Sequence, residues 1–163
     1  MVNLALPGRY NVYNALAAIS VCYTMGIKAE DICNALSSFS GVKRRFDIKS
    51  KKNVMIVDDY AHHPVEVSNV ISATKENWNK KLNVIFQPHL FSRTKKFYKD
   101  FADALMKADR VMITEIFGAR EKNDISINSQ LIIDEMIKLK HPKVSFIPID
   151  KAVSYTHLRA HET

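Results

Sequence analysis

Carboxylates, imidazoles and an arginine follow three short apolar runs that have the length of buried strands. The first run is followed by residues 58–63, with the sequence DDYAHH, and the second by His89 and Arg93. Glu115 follows the third run. Because ligands of open parallel sheets bind beyond the carboxyl ends of the strands, we expect these side chains to share one site. A carboxylate there suits a ribose diol, and an arginine beside free amides at a helix start suits a carboxylate or phosphate.

A metal site is the chemical alternative at the same strand ends. Asp58, Asp59, His62 and His89 would be the ligands of a metal-dependent hydrolase. Their spacing has neither the H-x-H nor the H-E-x-x-H pattern, and the adjacent His62 and His63 point in different directions. We therefore expect no metal site, and the metal content of the purified protein discriminates the two hypotheses.

The hydrophobic pattern predicts the elements that position these groups. Two helices come first, over about 12–25 with Asn11 as its cap and over about 29–38. From residue 47 the pattern alternates between strands and helices, which predicts an α/β fold with a mostly parallel sheet. The expected strands lie at about 54–57, 82–86, 110–114 and 144–149, and the expected helices at about 64–77, 92–108 and 129–139. The first strand reads as buried on both faces, and Pro148 makes the last one an edge strand.

Composition restricts the function classes. The 163 residues are 47% hydrophobic and 25% charged, which is typical of a soluble globular protein. We expect a cytoplasmic location and no membrane partner, because neither a membrane span nor a signal peptide is evident. The four glycines form neither a P-loop nor a dinucleotide fingerprint. The net charge of +7 comes from scattered lysines, so solvated helix faces are favoured over nucleic-acid binding.

Four sequence strings resemble the Mur ligase family, over roughly residues 3 to 150. They are PGRYNVYNALAA at 7–18, GVKRRF at 41–46, DDYAHHP at 58–64, and FQPH at 86–89 with SRT at 92–94. Such ligases have three domains. The resemblance implies that residues 1–40 are the last helices of a central ATP-binding domain, that 41–46 are a linker, and that 47–152 are a truncated, Rossmann-like C-terminal domain with an incomplete sheet. Residues 153–163 break the pattern and are interpreted as a non-native tail.

The resemblance also implies a reaction. It is ATP-dependent amide formation in peptidoglycan biosynthesis, in which UDP-N-acetylmuramate becomes an acyl phosphate that the amine of L-alanine attacks. ATP and Mg²⁺ would serve the full-length protein, with the Mg²⁺ ligands in the central domain. The missing N-terminal and central domains would be partners of this chain. We therefore expect the fragment alone to be inactive.

Site residues carry over from the matching strings. Nucleotide contacts are implied for five residues: Asn11, Asn14, Asp59, Tyr60 and His62. Asparagines lie beside the adenine, and the aspartate binds the ribose. Arg45 matches the linker arginine that stabilises the transferring phosphate. Arg93, with His89, matches the substrate site, where the arginine receives the carboxylate of the amino acid. Leu90-Phe91 departs from the arginine-tyrosine of many members, which removes a second cationic contact and puts a strict preference for L-alanine in doubt.

A free-standing nucleotide-binding or regulatory module is the other alternative. It would use Asp59 and the strand ends without chemistry. Calorimetry with ATP discriminates, because the ligase hypothesis places most phosphate contacts outside this chain.

Overall fold

The computed structural model describes residues 2–51, 54–122, 124 and 126–152. The segment interpreted as a non-native tail, residues 153–163, lies outside the described residues. In the part of the chain that is described, no helix is long and apolar enough to cross a membrane.

Two helices open the chain, α1 (Arg9–Thr24) and α2 (Ala29–Ser38). The predicted second helix is confirmed, but the predicted cap of the first is wrong. Gly8 is the N-cap of α1, with a φ of 96° that a glycine adopts without strain. Asn11 lies in the first turn, where its Nδ2 donates to the carbonyl of Pro7 at 2.7 Å. The helix therefore begins at Arg9, directly after Pro7-Gly8, and not after Asn11 as the sequence had indicated.

The apolar side chains of α1 are mostly exposed. Val12, Leu16 and Tyr23 recur at the helical period on one face, yet they are 47%, 51% and 71% exposed. Only Ala15 of this helix is buried. An amphipathic pattern without burial indicates a face that no described element of this chain covers.

A two-stranded antiparallel sheet follows the linker. It pairs β1 (Asp47–Lys51) with β2 (Met55–Asp58), with an irregularity between Ile48 and Ser50. The expectation that the run at 54–57 is a doubly buried strand of the parallel sheet is wrong. Strand β2 is half-buried, and among the described strands it pairs only with β1. The polar sequence DIKSK gave no apolar signal for β1.

The parallel sheet has the order β3-β4-β5, which confirms the alternating pattern. Its strands and the helices around it are α3 (Pro64–Asn77), β3 (Asn83–Phe86), α4 (Phe91–Leu105), β4 (Arg110–Ile113), α5 (Gln130–Lys138) and β5 (Val144–Phe146). The strand β5 is at the edge and ends two residues before Pro148, in agreement with the edge prediction.

The core lies between the parallel sheet and its helices. Phe101 and Leu105 of α4, Val111 and Ile113 of β4, and Ile132 of α5 are completely buried. This packing fixes the carboxyl ends of β3 and β4 relative to the start of α4, and so it positions His89 and Arg93.

Candidate functional site

A cleft of about 520 Å³ lies between the start of α1, the linker, the segment after β2 and the start of α3. This volume is in the range of small-molecule sites. Six of the sequence-predicted site residues line it: Asn11, Asn14, Arg45, Asp59, Tyr60 and His62. The other two, His89 and Arg93, do not line the cleft but contact its edge at His62. The structure therefore brings the predicted residues together, and their roles remain predictions.

The linker turns both of its arginines toward the cleft. Arg44 and Phe46 have φ values of 60° and 46°, in the left-handed region that costs a non-glycine residue about 1–3 kcal/mol. In an extended chain, consecutive side chains point in opposite directions. With left-handed residues on either side of Arg45, Arg44 and Arg45 both line the same cleft.

Asp59 accepts two backbone hydrogen bonds at the end of β2. Its Oδ2 accepts from the amide of Phe46 and its Oδ1 from the amide of Ala61, both at 2.7 Å. A carboxylate offers about four acceptor positions, so roughly two remain for a ribose diol. Burial raises the pKa of Asp59 above its usual value, against the opposing effects of the two amides and Arg45.

The two asparagines of α1 are not equivalent. Asn11 is committed to the fold, because its Nδ2 donates to Pro7 and its Oδ1 accepts from Nδ2 of Asn14 at 3.4 Å. Asn14 is exposed on the cleft wall, and its Oδ1 accepts no hydrogen bond from the described residues. Asn14 is therefore the better placed of the two to contact the edge of a base.

Aromatic and imidazole rings connect the cleft to the parallel sheet. Tyr60 packs edge-on against His62 at 5.1 Å between ring centroids, and against His89 at 6.2 Å. The guanidinium carbon of Arg44 lies 4.5 Å from the centre of the Tyr60 ring, in cation–π contact. His89 also contacts Phe117, in the loop after β4. Tyr60 thus contacts both the cleft and the segment after β3.

Arg93 contacts the cleft edge from the first turn of α4. Its Nη1 lies 3.3 Å from the carbonyl oxygen of His62 and 3.3 Å from Nδ1 of His89. The expectation of free amides at this helix start is wrong for Ser92, and anion binding by Arg93 stays a prediction. The carboxylate of Glu121 accepts from the amide and the hydroxyl of Ser92, so the helix start already holds a carboxylate. Arg93 itself must supply any binding of an external carboxylate.

Two predicted strand-end residues have structural contacts. His63 caps α3: its ring accepts from the amide of Val65, and Glu66 accepts from the amide of His63. Glu115 accepts from the amide of Ile149, beyond β5. The strand ends therefore converge at His62, His89 and Arg93, without Glu115.

The family described as "Mur ligase, glutamate ligase domain" matches residues 44–162, which is most of the chain. The chain belongs to the Mur ligase family. A UDP-N-acetylmuramate–L-alanine ligase from Clostridium kluyveri is 43% identical to it over 138 residues, which are 84% of this chain and 30% of that protein. The enzyme of the same name from Agathobacter rectalis is 44% identical over 157 residues, 94% of this chain and 34% of that protein.

A solved structure agrees with these relatives. The UDP-N-acetylmuramate-alanine ligase of Thermotoga maritima superposes with a TM-score of 0.75 and 34% identity, over 90% of this chain and 31% of that protein. This similarity confirms the predicted α/β fold. The chain therefore spans about a third of the length of the relatives that it matches.

The described part of this Mur ligase chain has no cluster of three or more histidines, cysteines, aspartates or glutamates that could hold a metal ion. Asp59 and Glu66 are the carboxylates on the cleft wall, and both accept backbone amides. Asp58, Asp59, His62 and His89 do not form a ligand set, so the hydrolase alternative has no geometric support.

Three ionisable residues of the cleft wall were not predicted as site residues from the sequence. Tyr10 lines the cleft, and burial, with the nearby Asp59, raises the pKa of its phenol. Arg44 lies over Tyr60, and Glu66 holds the amides of His62 and His63. The signal for Tyr10 and Arg44 was available, because each is adjacent in sequence to a predicted site residue. Glu66 gave only the signal of a capping box.

Proposed function

We propose that the chain is part of a UDP-N-acetylmuramate–L-alanine ligase, and that it carries nucleotide and amino-acid contacts of that enzyme. The observation that supports this most is the cleft lined by Asn14, Arg45, Asp59 and the other residues of the matching strings. On this proposal the cleft lies between the end of a central domain, residues 1–40, and a C-terminal domain, residues 47–152. The linker at 41–46 joins them, and the enzyme acts in the bacterial cytoplasm.

The cleft offers a different group to each part of ATP. Asn14 suits the edge of the adenine, the remaining acceptor positions of Asp59 suit the ribose hydroxyls, and Arg45 suits the phosphates. Tyr60 and His62 would form the wall between nucleotide and substrate. In the proposed reaction the γ-phosphoryl group passes from ATP to the muramate carboxylate, and the alanine amine then displaces phosphate from the acyl phosphate. Arg45 would stabilise the negative charge on the transferring group.

Arg93 suits the carboxylate of the amino acid. Its guanidinium has five N–H donors, and the observed contacts to His62 and His89 use one nitrogen. Leu90-Phe91 adds no second cation, so the guanidinium of Arg93 alone would bind the carboxylate of the amino acid. The hydrogen bond to His89 would orient the guanidinium of Arg93.

The described residues do not fit a Mg²⁺ site made of protein carboxylates. We therefore assign no step of the reaction to a metal held by this chain. On this proposal the Mg²⁺ ligands and the P-loop belong to the missing part of the enzyme.

The test is a domain replacement. The region of the Clostridium kluyveri ligase that matches this chain is exchanged for residues 1–152, and ATP-dependent joining of L-alanine to UDP-N-acetylmuramate is measured. We expect activity in the replacement, none in the isolated chain, and a large loss on Arg45→Ala. Lys43→Ala is the matched control, because Lys43 is an exposed linker cation that does not line the cleft.

Two results would reject the proposal. One is coupling by the isolated chain, since positioning and charge neutralisation need the absent part. The other is a folded replacement protein that binds all substrates and yet forms no amide.

A nucleotide-binding module is the second candidate, and it is favoured by the fact that the cleft is assembled within this chain. Calorimetry of the isolated chain with ATP separates the two. Tight binding without the missing domains supports the module, and weak or absent binding supports the ligase.

A further inference from the structure

The linker is fastened to the end of β2 at several points. The carbonyl of Arg44 accepts from the amide of Tyr60 at 2.8 Å, and the amide of Phe46 donates to Oδ2 of Asp59 at 2.7 Å. The Phe46 ring stacks on Trp78 with centroids 5.7 Å apart. Phe46 is only 3% exposed. The side chain of Asp59, just after β2, thus binds the backbone amide that immediately follows Arg45.

The conformation held by these contacts is not one that the residues adopt by themselves. Arg44 and Phe46 are left-handed on either side of Arg45. Such conformations persist at non-glycine residues only where surrounding contacts over-determine them. The contact that Phe46 receives from the segment after β2 is the carboxylate of Asp59, whose other oxygen accepts from the amide of Ala61.

We infer that Asp59 is a positioning residue for Arg45. Its carboxylate accepts a hydrogen bond from the amide of Phe46, and this contact, called the latch below, stabilises the left-handed turn. This turn directs the Arg45 guanidinium into the cleft. The inference rests on the proposed function for the role of Arg45, and it gives Asp59 a task besides any contact with ribose. Ligand binding at Asp59 and the direction of the linker are thereby coupled through one carboxylate.

Charge alone predicts the opposite effect of removing this carboxylate. Asp59 is a negative group on the wall of a cleft with two arginines, so a neutral residue there should favour an anion. The latch predicts a loss, because asparagine has one acceptor oxygen for two amides and presents an N–H to the other. The sign of the effect therefore distinguishes positioning from simple electrostatics.

The binding test uses inorganic tripolyphosphate as the probe of the full 163-residue chain. We expect Asp59→Asn to weaken binding about tenfold, which corresponds to about 1.4 kcal/mol. Asp47→Asn is the matched control, because Asp47 also accepts a linker amide, that of Arg44 at 3.2 Å, but does not line the cleft. We expect the control to bind as well as the wild type or slightly better. Tighter binding in both variants would overturn the latch.

A second measurement requires neither a variant nor a ligand. In an NMR pH titration of the wild type, the amides of Phe46 and Ala61 should shift together with the Asp59 carboxyl, and the side-chain Nε–H of Arg45 should follow. Glu66 and Tyr10 also face Asp59. Glu66 reports separately, through the amides of His62 and His63, and at lower pH because its pKa is lowered while that of Asp59 is raised.

The two measurements separate the inference from the proposed function. Weak or absent binding of tripolyphosphate by the wild-type chain agrees with the proposed ligase, whose other phosphate contacts lie outside this chain, and the titration then decides the latch. If the Phe46 amide does not follow Asp59, or if Arg45 is unmoved when it does, the latch is rejected.

Discussion

The guanidinium of Arg93 donates to Nδ1 of His89 at 3.3 Å, which fixes how the imidazole can be protonated. An arginine has no acceptor, so Nδ1 must carry the lone pair and Nε2 the hydrogen of a neutral ring. Burial, followed by the charges of Arg93 and His62, lowers the pKa of His89 below its usual 6.5. The hydrogen bond between Arg93 and His89 therefore requires that His89 is neutral while Arg93 is charged.

The first prediction is a loss of stability on acidification. The pKa of His89 is lower in the folded than in the unfolded chain, so below about pH 6.5 the unfolded chain binds more protons. The free energy of unfolding should therefore fall as the pH falls from 7.5 to 5.5. Urea titrations at both pH values measure it, and His89→Gln should reduce the slope. Equal slopes in the two proteins would contradict the assignment.

The second prediction concerns His141, which sits at the end of α5 and is buried. Its Nε2 is 2.9 Å from the carbonyl of Ala108, and its Nδ1 accepts from the amide of Lys143 at 3.3 Å. Replacement by leucine leaves the buried carbonyl of Ala108 unpaired, at a cost of about 1–3 kcal/mol, and also removes the hydrogen bond of the Lys143 amide. Urea unfolding of His141→Leu should show this loss. His141→Gln can donate to Ala108 and should recover part of it, and full stability in the leucine variant would refute the role.

Much of the fold could be predicted from the sequence, because its signals are local. The range 64–77 of α3 was predicted to the residue, since Pro64 fixes its first turn and the apolar period continues to its end. The strand β1 could not be predicted, because its sequence DIKSK is polar and its pairing with β2 is a tertiary property. The start of α1 was misplaced because Pro7-Gly8 determines it, rather than the side chain of Asn11.

The site could be predicted as a set of residues, but its hydrogen bonds could not. The matching strings indicated Asp59 and Arg93. They gave no indication that Glu121 occupies the amide at the start of α4, 29 residues from Ser92 in sequence. Nor did they indicate the left-handed turn at Phe46, because a phenylalanine has no intrinsic preference for that conformation. Long-range contacts decide both features.

The third prediction contrasts two aromatic residues of similar size. Phe101 is completely buried in the core, while Tyr13 on α1 is 65% exposed. Phe101→Ala should lower the free energy of unfolding by about 3–5 kcal/mol, because it removes apolar contacts and leaves a cavity. Tyr13→Ala should change it by no more than about 0.5 kcal/mol. Comparable losses in urea unfolding would show that the exposed face of α1 is covered in this chain.

The fourth prediction tests the carboxylate at the start of α4. Hydrogen bonds from the hydroxyl and the amide of Ser92 lower the pKa of Glu121 below 4.5. The stabilisation is therefore present at neutral pH and is lost as the pH falls through the lowered pKa. Glu121→Gln should melt at a lower temperature than the wild type at pH 7, and the difference should shrink toward pH 3. A pH-independent difference would mean that charge is not involved.

The last prediction separates the two cationic sites of the proposed ligase. In the domain-replacement enzyme, Arg93→Ala removes the guanidinium that suits the amino-acid carboxylate, whereas the cleft for ATP is lined by other residues. A lost hydrogen bond to a charged group corresponds to about a 10- to 100-fold rise in the KM for L-alanine, with little change in the KM for ATP. Arg93→Lys keeps the positive charge but loses the two parallel N–H donors of the guanidinium. Its KM for L-alanine should therefore lie between those of the wild type and Arg93→Ala.

Lys95→Ala is the control, because Lys95 is an exposed cation of the same helix, and it should leave both KM values unchanged. Equal rises for alanine and ATP in Arg93→Ala would mean that this arginine supports the whole cleft edge through His62 and His89 and does not bind the amino acid.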